Sequence, residues 1–224
     1  MLEARGVSLS YGPTPALRDV SLRIGPGASV ALMGASGSGK SSLLHCLAGV
    51  VVPDVGSVVL DGTELTGLGD RERSRLRLER LGVVFQFGDL VPELTLLENV
   101  ALPLQLLGHR RRPARARAME LLGALGIADL ADSRTGAVAG GQAQRAAVAR
   151  AMVHEPAVLL ADEPTGSLDS ITAETVMDGL VDLTRSAGTT LLVVTHDNVV
   201  ASHLDTLVTM QDGAVLHAAT GSRA

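Results

Sequence analysis

The sequence predicts an α/β domain with buried strands, into which a helical segment is inserted. Three observations predict this class. The apolar run Ala28–Met33 leads through a glycine-rich stretch into 42–48, which has a helical pattern and is followed by Gly49. A second apolar run, 157–161, ends in two acids. The long segment between them, 49–155, is largely helical in composition.

The glycine-rich stretch satisfies G-x-x-x-x-G-K-[ST], with Gly34, Gly39, Lys40 and Ser41 at the defining positions. Its backbone N–H groups are suited to surround a β-phosphate, and the following helix adds the positive end of its dipole. The lysine would contact the β and γ oxygens, and the serine hydroxyl would bind Mg²⁺. The alternative is a glycine-rich surface turn. The predicted nucleotide-contacting residues are Gly34, Ala35, Ser36, Gly37, Ser38, Gly39, Lys40, Ser41 and Ser42.

The acids Asp162 and Glu163 follow the second apolar run. A buried strand that ends there would place Asp162 beside the metal ion, and Glu163 could polarise a water that attacks the γ-phosphorus. The pair therefore favours hydrolysis over transfer of phosphate to a bound substrate. The alternative is an acidic helix cap before Pro164.

Shorter patterns between these sites predict one strand and two helices. Residues 56–62 alternate as an edge strand and turn do. Segments 71–80 and 114–125 have helical composition, and Pro113 is suited to a helix start.

Composition limits the class of protein. Apolar residues make up 46 % of 224 residues, as in a globular domain, and the one cysteine, Cys46, excludes an intrachain disulfide. A formal charge of −5 argues against binding nucleic acid by bulk electrostatics, so we expect no nucleic-acid partner. No apolar run reaches the roughly 18 uninterrupted residues of a spanning helix.

Four further motifs follow in order along the chain. Gln86 lies in the run Val83–Phe87, and Ala139-Gly140-Gly141-Gln142 is followed by Gln144 and Arg145. Ser167-Leu168-Asp169 comes next, and Thr195-His196-Asp197 follows an apolar run, 191–194. Tyr11 precedes Ala16 and Leu17 near the start. Together with the glycine loop and the acid pair, this ordered set resembles the nucleotide-binding subunit of ABC transporters over nearly the whole chain.

The resemblance implies a fold and a division of the chain. It implies one ABC ATPase domain over 1–224, with a P-loop core and an N-terminal antiparallel β-subdomain in 1–88 and 155–224. A helical subdomain that carries the signature would occupy about 89–154. The cofactors implied are ATP and Mg²⁺.

The resemblance also assigns roles to single residues. Tyr11 would stack on adenine, although a tyrosine there is otherwise a half-buried strand residue. Gln86 would touch Mg²⁺ or the attacking water, or else is simply solvated. His196 would bond the γ-phosphate and orient the water, or else caps a helix or ends a strand. The signature Ala139–Gln142 and the D-loop residue Asp169 would contact nucleotide in a dimer.

The signature departs from the family pattern, because Ala139 stands where the family has a serine that contacts the γ-phosphate held by the opposite subunit. The two glycines and the start of a helix predicted over 142–152 remain. Loss of one hydrogen bond to a charged group costs about 1.5–3 kcal/mol, so we expect slower hydrolysis. A heterodimer with one degenerate site stays open.

Within the family, Phe85–Pro103 and Ala161–Asp169 resemble the lipoprotein-releasing and macrolide-export branch. This implies an ATPase at the cytoplasmic face of the cell membrane that closes as a dimer and drives a transmembrane permease, with export or extraction of a lipophilic or peptide-like substrate. The alternative is an ATP-driven regulatory switch on a non-transporting membrane complex, as in the cell-division relatives.

Two arginine clusters remain outside these motifs. One covers residues 71–80 and the other 110–117, with five arginines each. Such clusters are usually solvated helix faces. The functional alternative is a basic surface that meets anionic headgroups or an acidic element of the transmembrane subunit.

Overall fold

The computed structural model describes residues 1–85 and 90–220, with backbone alone for 217–220. It confirms the predicted α/β class with an antiparallel sheet and a helical segment. In chain order the elements are β1 (Leu2–Tyr11), β2 (Thr14–Ile24), β3 (Ser29–Met33), α1 (Lys40–Leu47), β4 (Val55–Leu60), β5 (Thr63–Glu64), α2 (Asp70–Arg80), β6 (Leu81–Val84), α3 (Leu96–Leu106), α4 (Arg111–Ala124), α5 (Gly140–Met152), β7 (Val158–Asp162), α6 (Ser170–Ala187), β8 (Thr190–Thr195), α7 (Asn198–Ser202), β9 (Thr206–Gln211) and β10 (Ala214–Thr220).

Near the N-terminus an antiparallel sheet forms in the order β2-β1-β4-β5. Strand β1 directs Leu2, Ala4, Val7 and Leu9 into the core, and the alternation of a half-solvated strand is shifted by one residue between Ala4 and Val7, where the register of β1 is irregular. The strand and turn predicted over 56–62 are present as β4 and the turn after it, but the prediction of an edge position is wrong, because β4 pairs with both β1 and the two-residue β5. A strand as short as β5 has little sequence signal, so the second partner of β4 was not predicted.

The main sheet of the described residues has the order β10-β9-β3-β8-β7-β6, with β10 antiparallel to β9 and the other neighbours parallel. Its central strands are apolar without alternation because both faces are covered. Leu191 and Val193 face a core built with helices α3 to α6. Leu192 and Val194 face a second core, which is shared with α1 and the antiparallel sheet. The sheet therefore divides the interior into two layers.

Helices α3, α4 and α5 pack against one another in the segment between β6 and β7. Helix α4 begins three residues earlier than the pattern predicted, so Pro113 lies inside its first turn. Proline is tolerated there because the first N–H groups of a helix have no partner within it. Helix α5 begins at Gly140, two residues before the predicted start.

Strand order brings the predicted site residues together. Strands β3, β8 and β7 are direct neighbours and run parallel, so their carboxyl ends share one edge of the sheet. The glycine loop follows β3, Asp162 ends β7, and His196 follows β8. Residues that are more than 100 positions apart in the chain thus meet at this edge.

Candidate functional site

The glycine loop connects β3 to α1 in a path that two of its glycines make possible. A Cβ on Gly34 would lie 2.3 Å from the carbonyl oxygen of Met210. Gly39, the residue that precedes α1, has φ +99°, and a Cβ there would lie 2.5 Å from the carbonyl oxygen of Ala16. Neither position can hold another residue without movement of backbone. The loop of residues 34–39 is therefore held close to neighbouring backbone at the N-terminus of α1.

Lys40 lies at the end of this loop and is 8 % exposed. Its ammonium donates to the carbonyl oxygens of Gly34 at 2.8 Å and Ala35 at 2.9 Å. An ammonium has three donors, so one remains for a further acceptor. The hydroxyl of Ser38 is buried without a partner among the described residues.

A cavity of about 700 Å³ lies over the loop. Tyr11, at the end of β1, lines it with a side chain that is 52 % exposed. Glu163 and His196 line it from the edge of the sheet. The remaining lining residues are Thr14, Pro15, Ala16, Ala35, Ser36, Gly37, Gly39, Lys40, Ser41 and Ser42. The structure thus brings a flat ring, a buried ammonium and a carboxylate to one cavity, as a nucleotide site requires.

Asp162 is the last residue of β7, and one of its carboxylate oxygens, Oδ1, is buried without a hydrogen-bond partner among the described residues. Burial raises the pKa of this carboxyl group, and a hydrogen bond from Ser41 opposes the shift. A buried carboxylate oxygen beside a hydroxyl is a fitting pair of ligands for Mg²⁺, which takes few protein ligands and completes its shell with phosphate oxygens and water. Within residues 1–85 and 90–220, no group of three or more His, Cys, Asp or Glu residues could hold a metal ion by itself.

Glu163 adopts a left-handed backbone conformation with φ +46°, which costs about 1–2 kcal/mol for a residue with a Cβ. Its N–H donates to the carbonyl oxygen of Val194 at 2.9 Å, so the turn is fixed to β8. Oε1 of Glu163 lies 2.7 Å from Nδ1 of His196, and the Thr195 hydroxyl approaches Oε2 at 3.5 Å. Backbone strain of this kind is concentrated at functional sites. Here the strained residue places its carboxylate in the lining of the cavity, and the side chain is 20 % exposed.

The signature residues lie at the start of α5. Ala139 is the N-cap of this helix, and its N–H donates to the side-chain oxygen of Gln142 at 2.9 Å. A Cβ on Gly141 would lie 2.1 Å from Cγ2 of Thr172, so α5 and α6 approach each other closely here. A second cavity of about 410 Å³ is lined by Ala139, Gly140, Gly141, Gln142, Arg145, Ser167, Leu168, Asp169 and Thr172. No residue lines both cavities, so the signature does not face this chain's own glycine loop.

Asp169 lines the second cavity and caps α6. Its carboxylate accepts from the N–H of Thr172 at 3.1 Å and from the hydroxyl of Thr172 at 2.7 Å. These hydrogen bonds lower the pKa of Asp169. Gln86, which was predicted to touch the metal ion or the water, lies outside the described residues.

Comparison with known proteins identifies the family to which this chain belongs. The family model for ABC transporters matches residues 17–166, a range that contains the glycine loop, the signature and the acid pair. The chain belongs to the ABC transporter family. It is therefore an ATPase subunit of that family, as the motifs predicted.

Two relatives of this cassette are similar to it over almost their whole length. It is 43 % identical over 217 residues to the lipoprotein-releasing system ATP-binding protein LolD 2 of Caulobacter vibrioides, with 95 % of each chain covered. It is 42 % identical over 221 residues to the corresponding protein LolD of Cereibacter sphaeroides, with 96 % of this chain and 99 % of that one covered. These matches confirm the resemblance to the lipoprotein-releasing branch.

Solved structures of cassettes are similar in fold as well. The cassette MJ0796, in a dimeric post-hydrolysis state bound to ADP and Pi, is 36 % identical, with a TM-score of 0.91 and 100 % of both chains covered. In the part of this cassette that the structure describes, no helix is long and apolar enough to cross a membrane.

Two buried amides of the cassette escaped sequence reasoning. Asn99 of α3 is 0 % exposed, and its side chain bonds the N–H of Val91 at 2.7 Å and the carbonyl oxygens of Val91, Leu94 and Thr95 at 3.0, 3.3 and 3.0 Å. Gln144 of α5 is 4 % exposed and donates to the carbonyl oxygen of Phe85 at 3.1 Å. These amides therefore anchor the backbone on both sides of 86–89 to the helical segment. A polar residue on an otherwise apolar helix face was the available signal for Asn99.

Proposed function

We propose that this cassette hydrolyses ATP in a closed dimer and thereby drives a transmembrane permease that releases or exports lipoproteins or similar lipophilic substrates. The observation that carries the proposal is the single cavity lined by the glycine loop, Tyr11, Glu163 and His196. The relatives named for lipoprotein release support the substrate class. On this proposal the protein works at the cytoplasmic face of the cell membrane, bound through its permease.

Nucleotide binding is assigned to the loop and the tyrosine. The N–H groups of residues 34–42 surround the phosphates, and the third donor of Lys40 bonds a β- or γ-phosphate oxygen. The exposed ring of Tyr11 stacks on adenine. Ser41 and Asp162 would hold Mg²⁺, which supplies charge neutralisation on the phosphate oxygens when bound.

Hydrolysis is assigned to the pair Glu163 and His196. The carboxylate of Glu163 accepts the proton of the attacking water, a role that contributes about 10²–10⁴-fold in rate. His196 donates a hydrogen bond of 2.7 Å from Nδ1 to this carboxylate and holds it in place, and with both ring nitrogens protonated its Nε2–H can donate to the γ-phosphate. The amide of Gln86 is proposed to contact Mg²⁺ or the water as the dimer closes.

The second cavity supports a role for a partner cassette. Because the signature Ala139–Gln142 and Asp169 line a cavity separate from the glycine loop, they are free to contact the nucleotide of a second subunit. The N–H groups at the start of α5 would bond that γ-phosphate. Ala139 has no hydroxyl to add, and this favours, as a second candidate, a heterodimer in which the other cassette supplies a serine at one of the two sites.

A Glu163→Gln variant tests the proposed dimer. The amide keeps the shape of the side chain but cannot accept the proton, so ATP remains bound and holds the closed state. We expect the variant to elute as a dimer with Mg·ATP and as a monomer without it, and to hydrolyse ATP at least 100-fold more slowly. Glu120→Gln, on the exposed face of α4, serves as a control that stays monomeric and active. Strictly monomeric elution of the Glu163 variant at saturating ATP would contradict the proposal.

The transported substrate is tested with the permease present. Transport predicts that a lipoprotein raises the ATPase rate of the cassette–permease complex. A regulatory switch on a non-transporting complex predicts no such response, and the rate would then follow the state of the membrane partner alone.

A further inference from the structure

The two arginine clusters look alike in the sequence but differ in what their side chains contact. In the cluster on α2, Arg73 bonds Asp70 and the carbonyl oxygen of Leu68, and Arg77 donates to the carbonyl oxygen of Gly49 at 2.9 Å. Others of the same helix, Arg75 and Arg80, pair with Glu79 and Asp61. Most side chains of this cluster are therefore held by contacts within the protein, and three of its five arginines are paired with an acid.

The second cluster lies where α3 turns into α4, and we call residues Leu106–Arg112 the basic tip. The side chains of Arg110 and Arg112 make no hydrogen bond or ion pair with any residue in the described ranges 1–85 and 90–220. Arg111 is 73 % exposed and comes only within 3.7 Å of Glu98. The chain has no Asp or Glu from residue 99 to residue 119. The tip thus concentrates three arginines, of which Arg111 lies near Glu98 while Arg110 and Arg112 are not paired with an acid in the described ranges.

An apolar side chain stands beside this charge. Leu106, the last residue of α3, is 64 % exposed. The turn that follows it joins two packed helices, and residues 108–113 are all exposed, so this turn lies on the surface of the molecule. Arginine clusters can also recognise acidic peptides, but the exposed leucine near this cluster favours an anionic surface that has an apolar layer beneath its charges. An exposed turn that carries three arginines and follows an exposed leucine is suited to a broad anionic surface, into which the leucine can partition.

We propose that the basic tip binds the anionic headgroups of a lipid bilayer and that Leu106 enters the interfacial layer. This inference does not depend on ATP hydrolysis or on the identity of the permease. The chain's formal charge of −5 opposes its approach to such a surface, but charges farther away than a Debye length of about 8–10 Å are screened at physiological salt. The local charge of the tip therefore governs the contact. Each arginine near an anionic leaflet strengthens binding about fivefold.

Vesicle sedimentation of the nucleotide-free full chain tests the proposal. We expect the protein to sediment with vesicles of an equimolar mixture of phosphatidylglycerol and phosphatidylcholine, and much less with phosphatidylcholine alone. Arg110→Ser combined with Arg112→Ser should weaken binding to the anionic vesicles about 25-fold, since two arginines are lost. Leu106→Ser, added to this double variant, should weaken binding to the anionic vesicles further. Added salt should weaken the binding of the unmodified protein.

The matched control is Arg71→Ser combined with Arg75→Ser, which makes the same change in net charge on α2. Both of these side chains lie on the surface, and the Arg75–Glu79 pair is an exposed pair whose loss costs little. We expect this control to keep the binding of the unmodified protein. Thermal midpoints and ATPase rates in solution should be unchanged in both double variants, which separates loss of binding from loss of folding.

Three results would overturn the proposal. Equal sedimentation with the two kinds of vesicle would show that headgroup charge is not recognised. Equal loss of binding in the tip variant and the control would show that net charge, not the tip, is responsible. Failure of the unmodified protein to sediment with anionic vesicles would assign the tip to an acidic protein partner instead.

Discussion

The alanine at the start of the signature gives the most direct test of how two cassettes share a nucleotide. Ala139 has φ −67° and ψ 154°, the extended conformation that a helix N-cap adopts. The Ala139→Ser substitution would place a hydroxyl in the second cavity without a change in backbone. That hydroxyl can accept a hydrogen bond from an N–H of the first turn of α5 and still donate its proton outward. One substitution therefore acts on the helix and on the proposed dimer at once.

The two effects have separate magnitudes. A serine N-cap stabilises a helix by about 1 kcal/mol relative to alanine. For a chain of this size, that corresponds to a thermal midpoint about 2–4 °C higher. Each outward hydrogen bond to the charged γ-phosphate of the partner's ATP is worth about 1.5–3 kcal/mol, which is about 10- to 150-fold in ATP-dependent dimer affinity per contact, and a homodimer has two such contacts. We expect ATPase turnover to rise because more of the protein is in the closed dimer.

The assay measures turnover, dimer affinity by sedimentation velocity, and the thermal midpoint without nucleotide. The control is Ala143→Ser, which adds a hydroxyl to the same helix outside the cavity and should change neither turnover nor dimer affinity. A raised midpoint would show that the serine at position 139 is folded and in place. Unchanged or lower turnover in that protein would refute the proposed contact across the dimer.

Two more predictions concern buried polar groups. Burial raises the pKa of Asp162 in the folded protein. Above that pKa the ionised carboxylate destabilises the folded state, and this destabilisation is lost as the pH falls through the same pKa. Asp162→Asn should therefore raise the thermal midpoint of the nucleotide-free protein at neutral pH but not at acidic pH. The same substitution should reduce the stabilisation that Mg·ATP gives. Equal midpoints for the variant and the unmodified protein at neutral pH would count against this. Gln144→Leu leaves the carbonyl of Phe85 without its donor, and chemical denaturation should show a loss of about 1–3 kcal/mol. Gln105→Leu, at an exposed position of α3, should stay within about 0.5 kcal/mol of the unmodified protein, and equal losses in the two variants would contradict the role of the buried amide.

The sequence was sufficient to predict those parts of the fold that local patterns specify. The strand, glycine loop and helix of residues 28–48 were predictable because a run buried on both faces, positive-φ glycines and a helical period are all short-range signals. The order of the later motifs was predictable only through the family resemblance. The second partner of β4 was missed, because a two-residue strand such as Thr63–Glu64 has no period to detect.

Contacts between distant residues lay beyond sequence reasoning. Nothing local indicates that Glu163 adopts a left-handed backbone, because that conformation depends on its bond to Val194 in another strand. The arginine clusters show the same limit. The partner of Arg77 is a carbonyl 28 residues away, and that of Arg80 is an acid 19 residues away. Only these contacts distinguish an engaged cluster from an available one.

The use of a single lysine among 19 basic residues follows from the geometry of the loop. Two carbonyl oxygens, of Gly34 and Ala35, lie 2.8 and 2.9 Å from the Lys40 ammonium, in a loop that leaves no room for a Cβ at Gly34. A tetrahedral ammonium can bond both and still present a third donor to the cavity. The guanidinium of arginine is planar, and its five donors form a rigid fork, so it could not satisfy these two carbonyls and a phosphate oxygen from one buried position. The rest of those 19 basic residues are arginine, but the geometry around Lys40 is suited to the smaller ammonium group.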